Sequence, residues 1–455
     1  MNPATRYLVS TKREIGLPAF LFVLAFTFSH YVAASQRLDI LATVRNELLL
    51  GLVCALLAVA AMVSDPMPLS TGRRAAISAA VFFVLVVIQV PFAMDPVSAK
   101  YAFDEWVSKQ AIFTFFIANL LRSPRHVALF LATYLFSLFY IYQEAVRGLI
   151  SGSLVWRNQG IQRLHGGVDR YRHPNGLSLA ATSCLPFFYY MRNVWTKWWM
   201  RLAMLGAVGL AVLCIVNTGS RAGYVGVIAG VLTVWWTSKH KVRNVLVLLV
   251  LAVVAQLAMP EQYRERFETI GGEEIEGASQ EARITLMQDA WAIFLDYPYG
   301  IGVNSFIHVR LQKFPERKGQ DVHNLYLQIL THLGLQGFVA FGWMIISLFQ
   351  CQEQSLRRIL DTAAGLRRGV KSKQFTLDRH VERFLFDLRV LEMSIRSIRF
   401  FMVMMLFNGL FAHTVYHILW YFIVGVSLAT ASIADHLTDV TRSFWLRLQN
   451  RAAEA

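Results

Sequence analysis

Charge is scarce in this chain. Lys, Arg, Asp and Glu make up 16% of its 455 residues, well under the roughly 25% of soluble domains. Cysteine is scarcer still. Cys54, Cys184 and Cys214 lie inside apolar runs, and Cys351 sits at the end of another. None has a CxxC partner, which excludes a disulfide framework or cysteine zinc site of recognised spacing. There is no DxD pair and no HExxH, so no metal-binding motif of recognised spacing is present, though scattered carboxylates could still assemble a site. No metal and no cofactor are expected. Basic and aromatic residues are not interleaved as on a base-stacking surface, so nucleic acid is set aside as a partner. The first apolar run leads into a spanning segment without a small-residue cleavage pattern, and a cleavable signal peptide is not expected.

Apolar residues fill the space that charge vacates. They form 55% of the chain, with a mean hydropathy of +0.44. They gather in runs of the length that crosses a bilayer, about 20 residues of helix. The expected fold is an all-α polytopic membrane protein of about twelve transmembrane helices. The spans fall near 17–34, 47–63, 75–93, 106–121, 126–143, 174–190, 200–217, 221–237, 243–259, 324–349, 396–412 and 416–433. The fourth is the weakest, because Lys109 and Gln110 interrupt it.

Lysine and arginine set the orientation. Arg6, Lys12 and Arg13 precede the first span, and alternate short loops carry Arg73 and Arg74, Arg122 and Arg125, Arg192 and Lys197, and Lys239, Lys241 and Arg243. Under the positive-inside rule these are cytoplasmic. An even number of spans puts both termini there, and Arg442, Arg447 and Arg451 agree. Most of the net charge of +15 is explained by this bias, with an anionic lipid substrate as a further contributor.

The spans divide the chain into five units. Residues 1–259 hold the first nine spans, 260–322 form a partly helical external loop domain, and 323–349 carry the tenth span. Residues 350–395 form a cytoplasmic amphipathic segment, and 396–455 hold the last two spans and a tail. In the amphipathic segment Leu377, Val381, Phe384, Leu388 and Leu391 recur at helical spacing between charges. That pattern predicts a helix lying on the membrane surface with arginines toward anionic headgroups. In the external domain, "SQEARITLMQDAWAIFLDYP" predicts an amphipathic helix with Ile284, Met287, Trp291 and Phe294 on one face, ended by Pro298 and the glycines of "YPYGIGVNSF". The loop at 144–173 is external yet basic. Arg147, Arg157, Arg163, Arg170 and Arg172 oppose only Glu144 and Asp169. The loop is either an exception that the overall charge bias tolerates or, because ionisable groups at a membrane boundary need a partner, an anion site, and the second reading is favoured.

Three residues from distant parts of the chain then fall at one depth. Arg221 follows "NTGS" at the start of the eighth span, Arg283 opens the external helix, and His323 opens the tenth span beside Asn324. Each stands at a helix N-terminus, where backbone N–H groups and the helix dipole favour anions. Singly, each has a structural explanation: an arginine at a helix entrance snorkels to headgroups, Arg283 pairs with Glu281, and an interfacial histidine caps a helix. Together they supply a chemistry. Two guanidiniums clamp a pyrophosphate in bidentate fashion. A neutral imidazole beside them, its pKa held down by positive neighbours, accepts a proton. His173 and Asn175 follow the basic loop and are candidates for sugar or phosphate contact, or simply start a helix. His165 is in the same position. His413 and His417 flank the last outer turn and read as interfacial anchors. Gly334 and Gly337 read as sites of close helix packing.

These residues sit in motifs that resemble those of the O-antigen ligase and O-antigen polymerase superfamily. "HNLYLQILTHLGLQG" is similar to its His-Asn-Leu and Gly-Leu-x-Gly signature, "TGSRAGYVG" to its Thr-x-Ser-Arg span entrance, and "EARITLMQDAWAIFLDYPYGIGVNSF" to its arginine helix ending in Pro-x-x-Gly-x-Gly. The resemblance implies a membrane glycosyltransferase of GT-C type in the bacterial inner membrane, its active site facing the periplasm. It implies transfer of O-antigen polysaccharide from undecaprenyl pyrophosphate to lipid A-core, inverting and without a metal. By motif, His323 corresponds to the base and Arg221 and Arg283 to the essential arginines. Arg147, Arg157, Arg163, Arg170, Arg172, His173, Asn175 and Asn324 are candidate contacts to pyrophosphate or glycan. The expected partners are the lipid-linked donor, the lipid A-core acceptor and membrane lipids. An O-antigen polymerase with the same chemistry remains open, and a lipid-linked glycan transporter is a third reading.

Overall fold

The computed structural model describes residues 14–158, 161–237 and 278–454, with isolated positions Leu8, Lys241, Val242 and Leu246. Helix dominates. The described helices are α1 (Leu17–Val32), α2 (Asp39–Thr43), α3 (Asn46–Ser64), α4 (Arg73–Ile88), α5 (Pro96–Ala102), α6 (Ser108–Leu120), α7 (Pro124–Ser151), α8 (Pro174–Met191), α9 (Trp198–Asn217) and α10 (Arg221–Thr237). After a gap in the described residues come α11 (Ala278–Asp296), α12 (Phe306–Lys313), α13 (Leu325–Lys371), α14 (Arg379–Asn408) and α15 (Ile418–Glu454). Every expected span except 243–259 falls on one of these helices; 243–259, apart from Leu246, lies outside the described residues.

Five helical stretches are long and apolar enough to cross a membrane: Asn46–Ser64, Pro124–Ser151, Trp198–Asn217, Leu325–Lys371 and Ile418–Asn450. Leu17–Val32 and Arg221–Thr233 are shorter apolar helices. The chain is thus a multi-pass α-helical membrane protein. Its outermost helices bear this out chemically. Along α3, Leu48, Leu52, Leu56 and Val63 are exposed, a continuous apolar face that only lipid covers without cost.

α15 is the central helix. Its membrane-crossing stretch is wholly buried, and it packs against α6, α13 and α14. Aromatic side chains add seams with α4 and α7: Phe83 of α4 stacks on Tyr421 at 4.9 Å and Tyr134 of α7 meets Phe422 at 4.7 Å. Helix starts follow the local sequence. α7 and α8 carry proline in their first turn, with Ser123 and His173 as caps, because proline's missing N–H costs nothing there. α14 starts where Asp378 accepts from the N–H groups of His380 and Val381. The interrupted fourth span keeps its helix. A π turn at Phe103–Val107 joins α5 to α6, and Lys100 and Lys109 pair with Asp104 and Glu105 one turn away.

Three expectations are corrected. The chain is not wholly α: in the basic loop, Val155–Asn158 (β1) pairs antiparallel with Ile161–Leu164 (β2), Trp156 opposite Arg163. Residues 350–395 do not make a separate surface helix. They continue α13 and begin α14 as one helical hairpin. Val381, Phe384, Leu388 and Leu391 are buried against neighbouring helices, and only Leu377 of the expected stripe is exposed. Phe375, at the hairpin's turn, lies 5.2 Å from Phe444 and 5.5 Å from Trp445 of α15. The apolar period was satisfied by protein rather than by lipid. In α11 the buried face is Leu286, Asp289, Ala290 and Ile293, while Ile284 and Trp291 are about half exposed. The reason is Asp289. Its carboxylate accepts from Arg310 Nε at 2.9 Å, with both side chains buried, so an acidic residue sits on the core side of the helix. Leu286, Ala290 and Ile293 form a small separate core with Ile301, Phe306, Val309 and Val322.

The α11–α12 segment is locked to α13 through glycine. α13 is broken at Gly334, whose φ is 71° and ψ −172°. The break frees carbonyls from their helical donors, and the turn at 298–302 supplies replacements. Ile301 N–H donates to Thr331 O at 2.9 Å, Gly302 N–H to His332 O at 3.0 Å, and Leu335 N–H to Pro298 O at 2.9 Å. The buried backbone is thereby satisfied. The Pro-x-x-Gly-x-Gly and Gly-Leu-x-Gly stretches are each other's partners. They fix where α11 ends relative to where α13 begins.

Candidate functional site

The site forms where three helix starts meet the turn between α14 and α15. Asn324 caps α13: its Oδ1 accepts from the N–H groups of Tyr326 and Leu327 at 3.0 and 3.1 Å. Its Nδ2 donates to Leu410 O at 3.2 Å, and Leu325 N–H donates to Gly409 O at 2.7 Å. On the other side of the same turn, Asn408 Nδ2 donates to Ala222 O at 3.1 Å. Residues 408–410 therefore hold the start of α10, which carries Arg221, against the start of α13, which follows His323. The hairpin ties in the third start. Arg163, 3% exposed, donates from Nε to Thr218 O at 2.8 Å and from Nη2 to Asn175 Oδ1 at 3.0 Å. Asn175 N–H donates in turn to His173 Nδ1 at 3.2 Å.

His323 stands at the junction, partly exposed. Its Nδ1 lies 3.1 Å from Nδ1 of His413, and the two rings are 4.9 Å apart at their centroids. Desolvation pushes its pKa from 6.5 down to about 4, followed by electrostatic interaction with His413 and with the Arg283 guanidinium; Asp321 opposes the shift, and His173 adds to it. His173 is also lowered, first by desolvation, then by Arg163 and His413. His417 falls to about 4 by burial, with Arg170 and His413 contributing. Cations thus surround imidazoles that stay neutral near pH 7. Neutral rings beside fixed guanidiniums are the combination that accepts a proton next to a bound anion.

Arg283 and His323 are within electrostatic reach of each other. Arg221 is 8% exposed at the start of α10 and joins the cluster through the backbone clamp at 408–410. Of the secondary candidates, Arg163, His173, Asn175 and Asn324 are at the junction. Asn324 and Asn175 are engaged in holding it together, a positioning role rather than a free binding surface. Arg170 points inward, with Nη2 at 3.4 Å from His30 Nδ1, and reaches the site through His417. Arg147 is exposed on α7, and Arg172 is exposed and paired with Asp169 at 3.5 Å; the structure does not bring either to the junction. The Arg157 side chain lies outside the described residues. Glu144, the loop's main acidic residue, is taken by Arg37, which binds both its oxygens at 2.6 and 2.7 Å, leaving the loop's cations uncompensated by it. Among the described residues no group of three or more His, Cys, Asp or Glu is arranged to hold a metal ion.

His413 is the residue that the sequence did not disclose. A histidine in a short turn between two apolar runs has the signature of an interfacial anchor, and nothing local tells that its turn folds onto a segment 90 residues away.

These observations define a multi-pass helical membrane protein with a cationic, histidine-bearing site where helix starts converge. Residues 206–342 match the family model for O-antigen ligase. The match spans the three motif segments from α9 to the start of α13 and supports placement in the O-antigen ligase/polymerase superfamily, with an activity of that general type. No curated protein matches the chain.

Proposed function

We propose that the protein is an O-antigen ligase. It would transfer polysaccharide from undecaprenyl pyrophosphate to lipid A-core on the periplasmic face of the inner membrane. One observation carries this reading above the rest. His323 contacts His413, feels the charge of Arg283, and is tied through residues 408–410 to the helix that Arg221 opens. The twelve-span frame with both termini cytoplasmic and a GT-C type organisation belong to the same reading.

The step balances simply. A hydroxyl of the acceptor sugar gives its proton to His323 Nε2 while its oxygen bonds to the donor's anomeric carbon from the face opposite the leaving group. The bond from that carbon to the phosphate oxygen breaks, and undecaprenyl pyrophosphate departs with the electron pair. Configuration inverts. Arg221 and Arg283 grip the pyrophosphate and oppose the negative charge that grows on the leaving oxygen, the largest contribution expected in such a site. Two guanidiniums supply this charge without a metal ion. In the ligase reading, Arg163 and the hairpin support the glycan side of the same anion site.

Purified protein given a lipid-pyrophosphate glycan and rough lipopolysaccharide should join them in detergent, in EDTA, with no second compartment. Transfer that stops in EDTA and returns with Mg²⁺ refutes the metal-free step. Absence of transfer combined with lipid movement in vesicles points to transport instead. A polymerase reading draws on the second arginine-bearing outer loop, 144–173, which brings Arg163 and His173 to the junction. Strain phenotypes separate the two: loss of a ligase leaves bare core with lipid-linked polymer accumulating, whereas loss of a polymerase leaves core with one repeat unit.

A further inference from the structure

His413 lies beyond the stretch that matches the O-antigen ligase family, and no motif in the sequence assigns it a role. Its position is nevertheless fixed. The turn from 409 to 417 is held at both ends: Gly409 O accepts from Leu325 N–H, Val415 N–H donates to Gln328 Oε1 at 3.1 Å, and His417 N–H donates to Thr414 O at 2.9 Å. The side chain of His413 then meets His323 Nδ1 to Nδ1 at 3.1 Å.

That contact has a consequence for where hydrogen sits. A neutral imidazole has one N–H and one lone pair. Two neutral rings can share a hydrogen bond between their Nδ1 atoms in only two ways. If His413 donates, His323 carries its hydrogen on Nε2 and presents no lone pair on that edge. If His323 donates, its Nε2 is a free lone pair, and the ring is a base toward anything docked there. The second arrangement follows the same logic as a metal-bound or catalytic histidine oriented by an acceptor on its far nitrogen.

We propose that His413 is a positioning residue that accepts the Nδ1–H of His323 and so holds His323 in the tautomer whose Nε2 can take the acceptor's proton. During transfer His323 gains that proton on Nε2 and becomes an imidazolium. The Nδ1–H to His413 bond persists, and no proton passes to His413. The groups that face His323 are Asp321 on its own segment, Arg283 from α11, His173 from the start of α8 and His413. Of these, His413 alone has a hydrogen bond to the ring among the described residues. This inference rests on the reading of His323 as the base.

The test compares hydrogen-bonding character at 413 in the full-length protein. His413→Ala removes the acceptor, His413→Lys offers only donors, and His413→Asn places a carbonyl oxygen close to where Nδ1 was. Initial rates are measured with a lipid-pyrophosphate glycan and rough lipopolysaccharide. The Ala and Lys variants should lose about 10- to 100-fold in kcat with the donor's KM unchanged, the usual cost of removing a histidine's orienting partner. The Asn variant should recover most of the rate. Nitrogen NMR of histidine-labelled protein in nanodiscs reads the tautomer without relying on any variant: hydrogen on Nδ1 of His323 is expected, and hydrogen on Nε2 overturns the proposal. So does a Lys variant as active as the native protein. His323→Ala separates the two levels. Full activity in that variant overturns the base assignment and this inference with it, whereas its inactivity beside a fully active His413→Ala overturns this inference alone.

Discussion

Gly300 and Gly334 meet backbone to backbone. A Cβ on Gly300 would lie 2.7 Å from Gly334 N, and one on Gly334 would lie 2.4 Å from the carbonyl carbon of Tyr299. Both have positive φ, 91° and 71°, the region that L side chains rarely adopt. Gly334→Ala therefore adds strain of about 1–3 kcal/mol for the backbone and a clash with main chain that has nowhere to move. The thermal midpoint in detergent should fall, and transfer should fall with it, although neither glycine touches substrate, because the contact sets α11 and Arg283 against α13 and His323. Gly342→Ala, on the same helix with nothing within 4 Å of a new Cβ, serves as the control and should leave both unchanged. Equal behaviour of the two variants refutes the coupling.

The pH dependence follows from the burial of His323 and, after it, from the charged groups around the ring. The base must be neutral to act. With its pKa lowered from 6.5 to about 4, His323 is neutral throughout pH 5–8, so the acid limb of kcat should fall near 4 rather than near 6.5. Arg283 is one of the groups that lower it. Arg283→Gln removes that influence, so the pKa rises and the acid limb moves toward neutral pH, apart from any loss in rate at the plateau. The stability sign is the same. Between 6.5 and about 4 the unfolded imidazole binds a proton that the folded one refuses, so the native state weakens as pH falls through that window. A pH–rate profile of the two proteins is the measurement; coincident acid limbs would break the link between Arg283 and His323.

The helices and the family motifs were legible because each depends on local pattern. Apolar runs of bilayer length fix helices, and Arg221 and His323 stand at helix starts, whereas Arg283 lies more than a turn inside α11 rather than at its start. What was hidden depends on pairing across the chain. Asp289 looked like the solvent side of α11 until Arg310 neutralised it from the next helix. The stripe from Val381 to Leu391 has the same period whether lipid or protein covers it. His413 acquires meaning only from a turn that folds onto the start of α13. The strands of "VWRNQGIQRL" are four residues each, too short to show alternation against the surrounding loop.

The basic loop gives a selective prediction, because its arginines are not equivalent. Arg163 is buried and holds Thr218 O and Asn175 Oδ1 at once. Each hydrogen bond from a charged donor is worth about 1.5–3 kcal/mol, and lysine cannot span both acceptors as the planar guanidinium does. Arg163→Lys should lower the thermal midpoint and cut transfer, whereas Arg147→Ala and Arg172→Ala, at exposed positions, should stay near native in both. Inactivation by Arg147→Ala, with Arg163→Lys unaffected, would show that the loop works through a different face.

The buried pair between α11 and α12 should show an asymmetry between breaking and replacing it. Arg310 Nε lies 2.9 Å from Asp289, with side chains 4% and 5% exposed, and Arg317 stands farther off at 3.7 Å. Arg310→Ala leaves a buried carboxylate with only that distant cation. Losing one partner of such a pair costs about 3–5 kcal/mol, comparable with the stability of a domain built on a core as small as that around Phe306. The variant should therefore lose the domain's proteolytic resistance and, through Arg283, its transfer activity. Replacing both partners by apolar residues, Asp289→Leu with Arg310→Met, removes the charges together and should cost far less, since a well-packed apolar pair is often as stable as the ion pair it replaces. Limited proteolysis of the three proteins in detergent ranks them. A double variant cleaved as fast as Arg310→Ala would mean that the pair acts through geometry at the domain's centre rather than through charge neutralisation.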